Sequence, residues 1–321
     1  MSATVFGLNA ATYTPHELHR SERVWLETNC YVDLWIELLH TMRLDPVACM
    51  AFTLAMDFEG DQWTFFKQPA VDLYNLYGVD VQELTIWRPV IDHVAEQVTN
   101  GRVPLVEVDS FYLPDTTGVA YGVEHTKTTI GVETIDLRER RMGYFHNAGY
   151  FELSGADLEG IFRDDTASLA PYTEIAKFDR LVHRSDGELA AMAGELARDY
   201  LRRIPCMNPV TKYRARFADD MTWLAGEEMA VFYKYAFATL RQCGACAEMA
   251  STFLTWLSKH GGEPTPAADE FASIASGAKA IQFKIARMMA TRKPVDVTLL
   301  LDQMEASWDR AISDLVTRYA A

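Results

Sequence analysis

Apolar residues between positions 30 and 42 recur at helical spacing. Leu34, Leu38 and Met42 form one row, and Tyr31, Trp35 and Leu39 the next. This pattern predicts an amphipathic helix with its apolar stripe toward a core. Thr28 or Asn29 stands where an N-cap belongs, because a side-chain oxygen there accepts from amides without intrahelical partners. Leu44-Asp45-Pro46 breaks the run, and Pro46 suits the start of a second helix over 46–56. Helices are also expected over 69–78, ending at Gly78, and from Pro89 to Val98, closed by Asn100-Gly101. Val79–Ile86 and Val103–Phe111 read as strands.

From His125 the pattern becomes β. The segment 125–135 is rich in β-branched residues, 142–145 and 150–153 follow as strands, and Ser154-Gly155-Ala156-Asp157 opens a helix through Phe162. Beyond residue 173 the periodicity is helical only, with helices expected over 187–204, 219–242, 245–260, 266–291 and 295–319. No repeat period runs through them. The expected class is α+β, with a mixed domain over 1–172 followed by a helical bundle over 173–321.

Composition narrows the function classes. The chain of 321 residues is 49% hydrophobic and carries a net charge of -15. Such a field repels nucleic acid and anionic membranes. No apolar run has the length of a bilayer span, and the first residues lack the pattern of a signal peptide, so a soluble cytoplasmic protein is expected. Five cysteines in a chain this long are not a disulfide framework. His16 and His19 share a helical spacing, but nothing nearby completes a metal site, and none is expected. Cys243-Gly244-Ala245-Cys246 falls in a helical stretch without a second pair and reads as helix packing. Cys49 and Cys206 read as core or incidental.

Candidate chemistry centres on Cys30, which opens the first helix. There the helix dipole favours a thiolate, the nucleophilic form of cysteine; the alternative is a small buried apolar residue. His125 begins a strand, and Asn147 follows the next one. In this order the three resemble the papain-like cysteine enzymes. That resemblance implies a papain-like N-terminal domain, with Cys30 as nucleophile, His125 as base and Asn147 as the residue that orients it. The oxyanion donors would be the Cys30 amide and a side chain, with Asn29 the nearest. The glutamine that papain-like proteases place before the cysteine is absent; Trp25, Leu26 and Glu27 occupy this region. His146 is a rival base or orienting residue. Asn147 also suits a plain turn before Gly149.

A closer resemblance runs through Glu27–Tyr31, Asp57–Trp63, His125–Thr129, Gly143–Tyr150 and Gln282-Phe283-Lys284. These stretches resemble an uncharacterised bacterial family associated with amino acid:carrier protein ligases. The N-terminal half also distantly resembles the papain-like acyltransferase of butirosin biosynthesis. The resemblance implies transfer of an acyl or aminoacyl group from a carrier-protein thioester, through a Cys30 thioester, to an acceptor amine. The partners would be a carrier protein and the ligase, with the substrate on the carrier's phosphopantetheine arm and no cofactor of the chain's own. Asp57, Glu59 and Asp61, beside Trp63, offer carboxylates for a substrate amino group, and Lys127 adds a polar group near His125; an acid-and-aromatic loop also simply caps a core. The alternatives are a cysteine peptidase or amidase with the same triad, and a non-catalytic protein that binds a carrier protein.

Overall fold

Asn29 turns the chain into its first helix. Its side-chain oxygen accepts from the amides of Tyr31 and Val32 at 3.2 and 3.0 Å, so of the two candidate caps Asn29 is used. The computed structural model describes residues 2–20, 23–163, 170–262 and 264–319. The chain divides into two units. Unit 1 comprises Met1–Arg20, Asn29–Pro46 and Pro69–His183, and unit 2 comprises Ser21–Thr28, Val47–Gln68 and Arg184–Ala321.

Unit 1 contains β1 (Ser2–Thr4), α1 (Cys30–Thr41), α2 (Ala70–Tyr77), β2 (Asp80–Glu83), α3 (Val90–Thr99) and β3 (Val103–Asp109). These are followed by β4 (Lys127–Asp136), β5 (Arg141–His146), β6 (Gly149–Ser154), α4 (Ala156–Ile161) and β7 (Thr173–Lys177). Among the described residues, seven strands form one antiparallel sheet in the order β2-β7-β3-β4-β5-β6, with β1 paired to β4.

Alternation along the strands separates two faces. Val106, Val108, Ile130, Val132, Met142 and Tyr144 share one face with Val94, Ala95 and Val98 of α3. Leu105 and Gly131 point the other way, toward α1: a Cβ on Gly131 would lie 3.5 Å from Leu34 Cδ1. Leu34, Trp35, Leu38 and Leu39 are fully buried, each worth about 1.5–3 kcal/mol in apolar transfer. A bulge in β4 between Val132 and Thr134 accompanies a buried carboxylate, Glu133. Glu133 accepts from Thr4 Oγ1, the Phe6 and Gly7 amides and the Tyr150 hydroxyl, which anchors the N-terminal strand.

Unit 2 holds α5 (Asp186–Leu201), α6 (Pro209–Leu224), α7 (Met229–Ala236), α8 (Gln242–Lys259), α9 (Ala267–Thr291) and α10 (Thr298–Tyr319), with a π-helical turn over Phe237–Arg241. Gly244 of α8 lets Trp25 lie flat against the helix, since a Cβ there would stand 2.4 Å from the indole. Trp25 Nε1 donates to the Ala275 carbonyl at 3.0 Å. Cys243 and Cys246 are buried in this packing, and burial pushes both thiols up. Among the described residues no helix is long and apolar enough to cross a membrane.

The α+β class stands, with one antiparallel sheet and a helical C-terminal part. Several boundaries differ from the sequence reading. Residues 46–55 wind as a 3-10 helix rather than an α-helix; the stretch is buried almost throughout, so packing rather than an amphipathic stripe sets its winding. β7 inserts between β2 and β3, so the sheet extends past residue 172 and the chain leaves unit 1 only after His183. The segments 21–28 and 47–68 cluster with unit 2. The helix expected over 219–242 is instead α6, α7 and the π turn, broken near Gly226. Asn208 caps α6 and Pro209 takes its first position.

Candidate active site

The two ends of β3 and β4 nearest the 110–126 connection build a charged cluster. Asp109 pairs with Lys127 in the β3–β4 register, and Glu107 pairs with Thr129. Alternation from Leu105 puts Glu107 and Asp109 on the face that α1 covers. Asp109 accepts from the Phe111 amide at 3.1 Å, and the Ser110 amide donates to the Thr126 carbonyl at 2.9 Å. These bonds hold the 109–111 turn against Thr126, the residue after His125. His125 Nδ1 then lies 2.6 Å from Asp109 Oδ2, and its ring stacks on Phe111 with centroids 4.3 Å apart. The side chain is 61% exposed, and Nε2 has no hydrogen-bond partner among the described residues. Lys127 Nζ donates to Glu107 Oε1 at 2.7 Å.

This cluster lines a cleft of about 780 Å³, with Trp87, Arg88, Phe162 and Arg163 on its other walls. A His–Asp pair fixes the tautomer in which Nδ1 carries the proton and Nε2 is the base. Set in an open cleft, it can take a proton from a substrate group.

Cys30 occupies the first position of α1 and is half-buried. Its backbone amide has no acceptor among the described residues, as expected at a helix start, and can serve an oxyanion. The neighbouring Tyr31 hydroxyl donates to Glu174 Oε2 at 2.7 Å, and Glu174 pairs with Leu105. The start of α1 therefore lies on the sheet face that carries Asp109. Cys30 Sγ makes no hydrogen bond to His125 or to any other described residue. Asn29 commits its side-chain oxygen to the cap.

The remaining candidates fall elsewhere. Asn147 holds a left-handed conformation, φ 45°, in the two-residue turn between β5 and β6, and it makes no side-chain hydrogen bond to His125. Asp109 holds that ring instead. His146 points to the α3 face and is buried. Its Nδ1 lies 2.6 Å from Asp115 Oδ2 and its Nε2 2.8 Å from Thr128 Oγ1, while the Tyr144 hydroxyl donates to Asp115 Oδ1. Burial and the Asp115 charge push the Tyr144 hydroxyl up. Asp57, Glu59, Asp61 and Trp63 belong to unit 2. There Asp57 accepts from Lys212 Nζ at 2.8 Å, Glu59 accepts from Thr64 Oγ1, and Trp63 is buried against Phe58 and Tyr213. Asp61 is exposed.

His19 is a second residue with strong electrostatics. It sits in unit 1 between Glu37, against its Nδ1, and Asp33, 3.2 Å from its Nε2. Burial opposes its charge, but the hydrogen bonds and charges of Asp33 and Glu37 prevail and push it up to about 9. His16 instead caps a 3-10 turn through Nδ1 and packs against His40; burial, with the His40 charge, pushes it down. Among the described residues no group of three or more His, Cys, Asp or Glu is placed to hold a metal ion.

Asp109 was not singled out from sequence. Its signal was the strand alternation that aligns it with Leu105, combined with the antiparallel return into His125. A comparison with curated proteins finds no match. The family model described as the DUF1839 N-terminal domain matches residues 14–178, and that described as the DUF1839 C-terminal domain matches residues 186–317. The chain belongs to the DUF1839 family.

Proposed function

We propose that the chain is a papain-like acyltransferase in which Cys30 is the nucleophile, His125 the base and Asp109 the residue that orients it. The observation that carries this reading is the Asp109–His125 pair, whose Nε2 has no hydrogen-bond partner among the described residues. The resemblance to the ligase-associated family supports a carrier-protein thioester as donor. In the first step Cys30 gives its thiol proton to His125 Nε2, the sulfur bonds the acyl carbon, the carrier's C–S bond breaks, and the carrier thiol leaves with that proton from His125. In the second, an acceptor amine bonds the acyl carbon, His125 takes its proton, and Cys30 leaves as thiolate. The Cys30 amide supports the oxyanion in both steps.

Incubation with glycyl carrier protein, or with glycyl N-acetylcysteamine thioester, tests this by intact mass. A glycyl adduct on the wild-type chain that is absent from Cys30→Ala is expected. An adduct that persists in Cys30→Ala moves the nucleophile elsewhere, and no adduct with no deacylation rejects the transferase.

A second reading is favoured by one observation, the absence of a Cys30–His125 hydrogen bond. In it the chain binds a carrier protein without turnover. It predicts saturable binding of the carrier that is unaffected by Cys30→Ala.

A further inference from the structure

In unit 2, α9 buries Ile274, Ile281, Ile285 and Met288 and packs against α8 and α10. Its outer face departs from the charge balance of the rest of the chain. From Phe271 to Val295 the sequence holds five cations, Lys279, Lys284, Arg287, Arg292 and Lys293, and no carboxylate, in a chain of net charge -15. Phe283 and Arg287 stand one helical turn apart and so neighbour each other on the surface, with Lys284 beside them. All three are exposed, Phe283 by 65%.

The cations of this face are not neutralised within the fold. Among the described residues neither Lys284 nor Arg287 has a carboxylate at ion-pair distance. Asp296 feels the Lys284 charge, but its carboxyl is held low first by bonds from Thr298. One turn before Phe283, Lys279 Nζ lies 4.0 Å from the centre of the Trp25 ring and 6.0 Å from that of Phe283, again without a carboxylate partner. Arg241 differs, since it faces Glu27 at 3.3 Å. Arg292 turns its guanidinium back to the Ala225 and Glu227 carbonyls, which fixes the end of α9 against the α6–α7 turn. The face is therefore rigid, basic and aromatic.

An exposed ring beside free cations fits a partner that carries an apolar side chain next to carboxylates. Association buries the ring at the centre of the contact and leaves the charges at its rim, where they speed encounter and exclude wrong partners. A nucleic-acid duplex fits less well. Its charges, one per about 1.7 Å, run beyond the patch into the field of a chain that is acidic elsewhere.

We propose that the outer face of α9 docks an acidic segment of another protein, its apolar side chain on Phe283 and its carboxylates on Lys284 and Arg287. The site stands independently of the acyl-transfer reading.

Fluorescence anisotropy of the full chain with a labelled peptide of repeated Glu-Glu-Leu-Leu blocks tests it. The peptide should bind saturably and more weakly as salt is added. Its Gln-Gln-Leu-Leu counterpart should bind at least several-fold more weakly. Phe283→Ala should weaken the acidic peptide by about five- to thirtyfold, as for an aromatic anchor. Lys284→Glu combined with Arg287→Glu should abolish binding. All three side chains are exposed, so the variants should keep the wild-type circular dichroism spectrum. No saturable binding of the acidic peptide overturns the proposal, as does binding unaltered in the charge-reversed variant. Tighter binding of labelled single-stranded DNA would make the face a nucleic-acid site instead. A dimer of the chain alone that Arg287→Glu dissociates would make a second copy the occupant, and would equally overturn it.

Discussion

Asp109 Oδ2 and His125 Nδ1 are 2.6 Å apart, joined across the β3–β4 pair rather than within one strand. The bond selects one imidazole tautomer and leaves Nε2 without a hydrogen-bond partner among the described residues. Asp109→Asn should therefore preserve the fold and lower acyl transfer by about 10²- to 10⁴-fold, the range for loss of a positioned general base. Single-turnover rates with glycyl carrier protein, with circular dichroism as a folding control, check this. A rate within twofold of wild type would remove Asp109 from the mechanism.

His19 makes stability depend on pH in two windows. Its pKa is raised to about 9 from an ordinary 6.5. Its contribution is therefore full below about 6.5 and is lost as the pH climbs through 9. Burial pushes the Glu37 carboxyl up, but hydrogen bonds from His19 and Tyr13 outweigh it and hold the group below its usual range. That contribution is present above the ordinary carboxylate range and is lost as the pH falls through the lowered value. Urea unfolding across the pH range should show highest stability between the two windows. His19→Ala leaves two buried carboxylates without their cation and should cost about 3–5 kcal/mol at neutral pH. An unchanged alkaline limb in His19→Ala would refute the assignment.

Gly78 ends α2 at φ 70°, where an added Cβ would stand 1.9 Å from the Arg180 carbonyl oxygen. Gly78→Ala meets both a left-handed backbone and a collision with main chain. A loss of about 1–3 kcal/mol is expected, read as a lower denaturation midpoint at constant slope.

The cysteines should sort by burial. Cys206 is exposed and Cys30 half-buried, whereas Cys49, Cys243 and Cys246 are buried. Reaction with a chromogenic disulfide reagent should label Cys206 first and Cys30 next. The other three should react only in denaturant. Labelling of Cys243 or Cys246 in the native chain would contradict their packing in α8.

Legibility followed how local the determining contacts are. α1 was readable because its apolar rows, its cap and Cys30 lie within one short stretch. α2 was readable for the same reason, with Gly78 marking its end. β7 was not, since a five-residue strand followed by helices lacks the length for a periodic signal, and its place is set by β2 and β3 far upstream. Among the site residues, Cys30 and His125 were singled out by residue type and position. Asp109 was passed over because its partnership with His125 exists only once β3 and β4 are in register. Asp33 and Glu37 were passed over because His19 reaches them only across the folded unit.

The division of the chain also bears on how this gene can change. The backbone passes from one unit to the other at 20/21, 28/29, 46/47, 68/69 and 183/184. No single cut separates them. A fragment ending near residue 178 would carry 21–28 and 47–68 away from the helices with which they fold. A cut between the two family-model matches therefore divides the contacts that define unit 2.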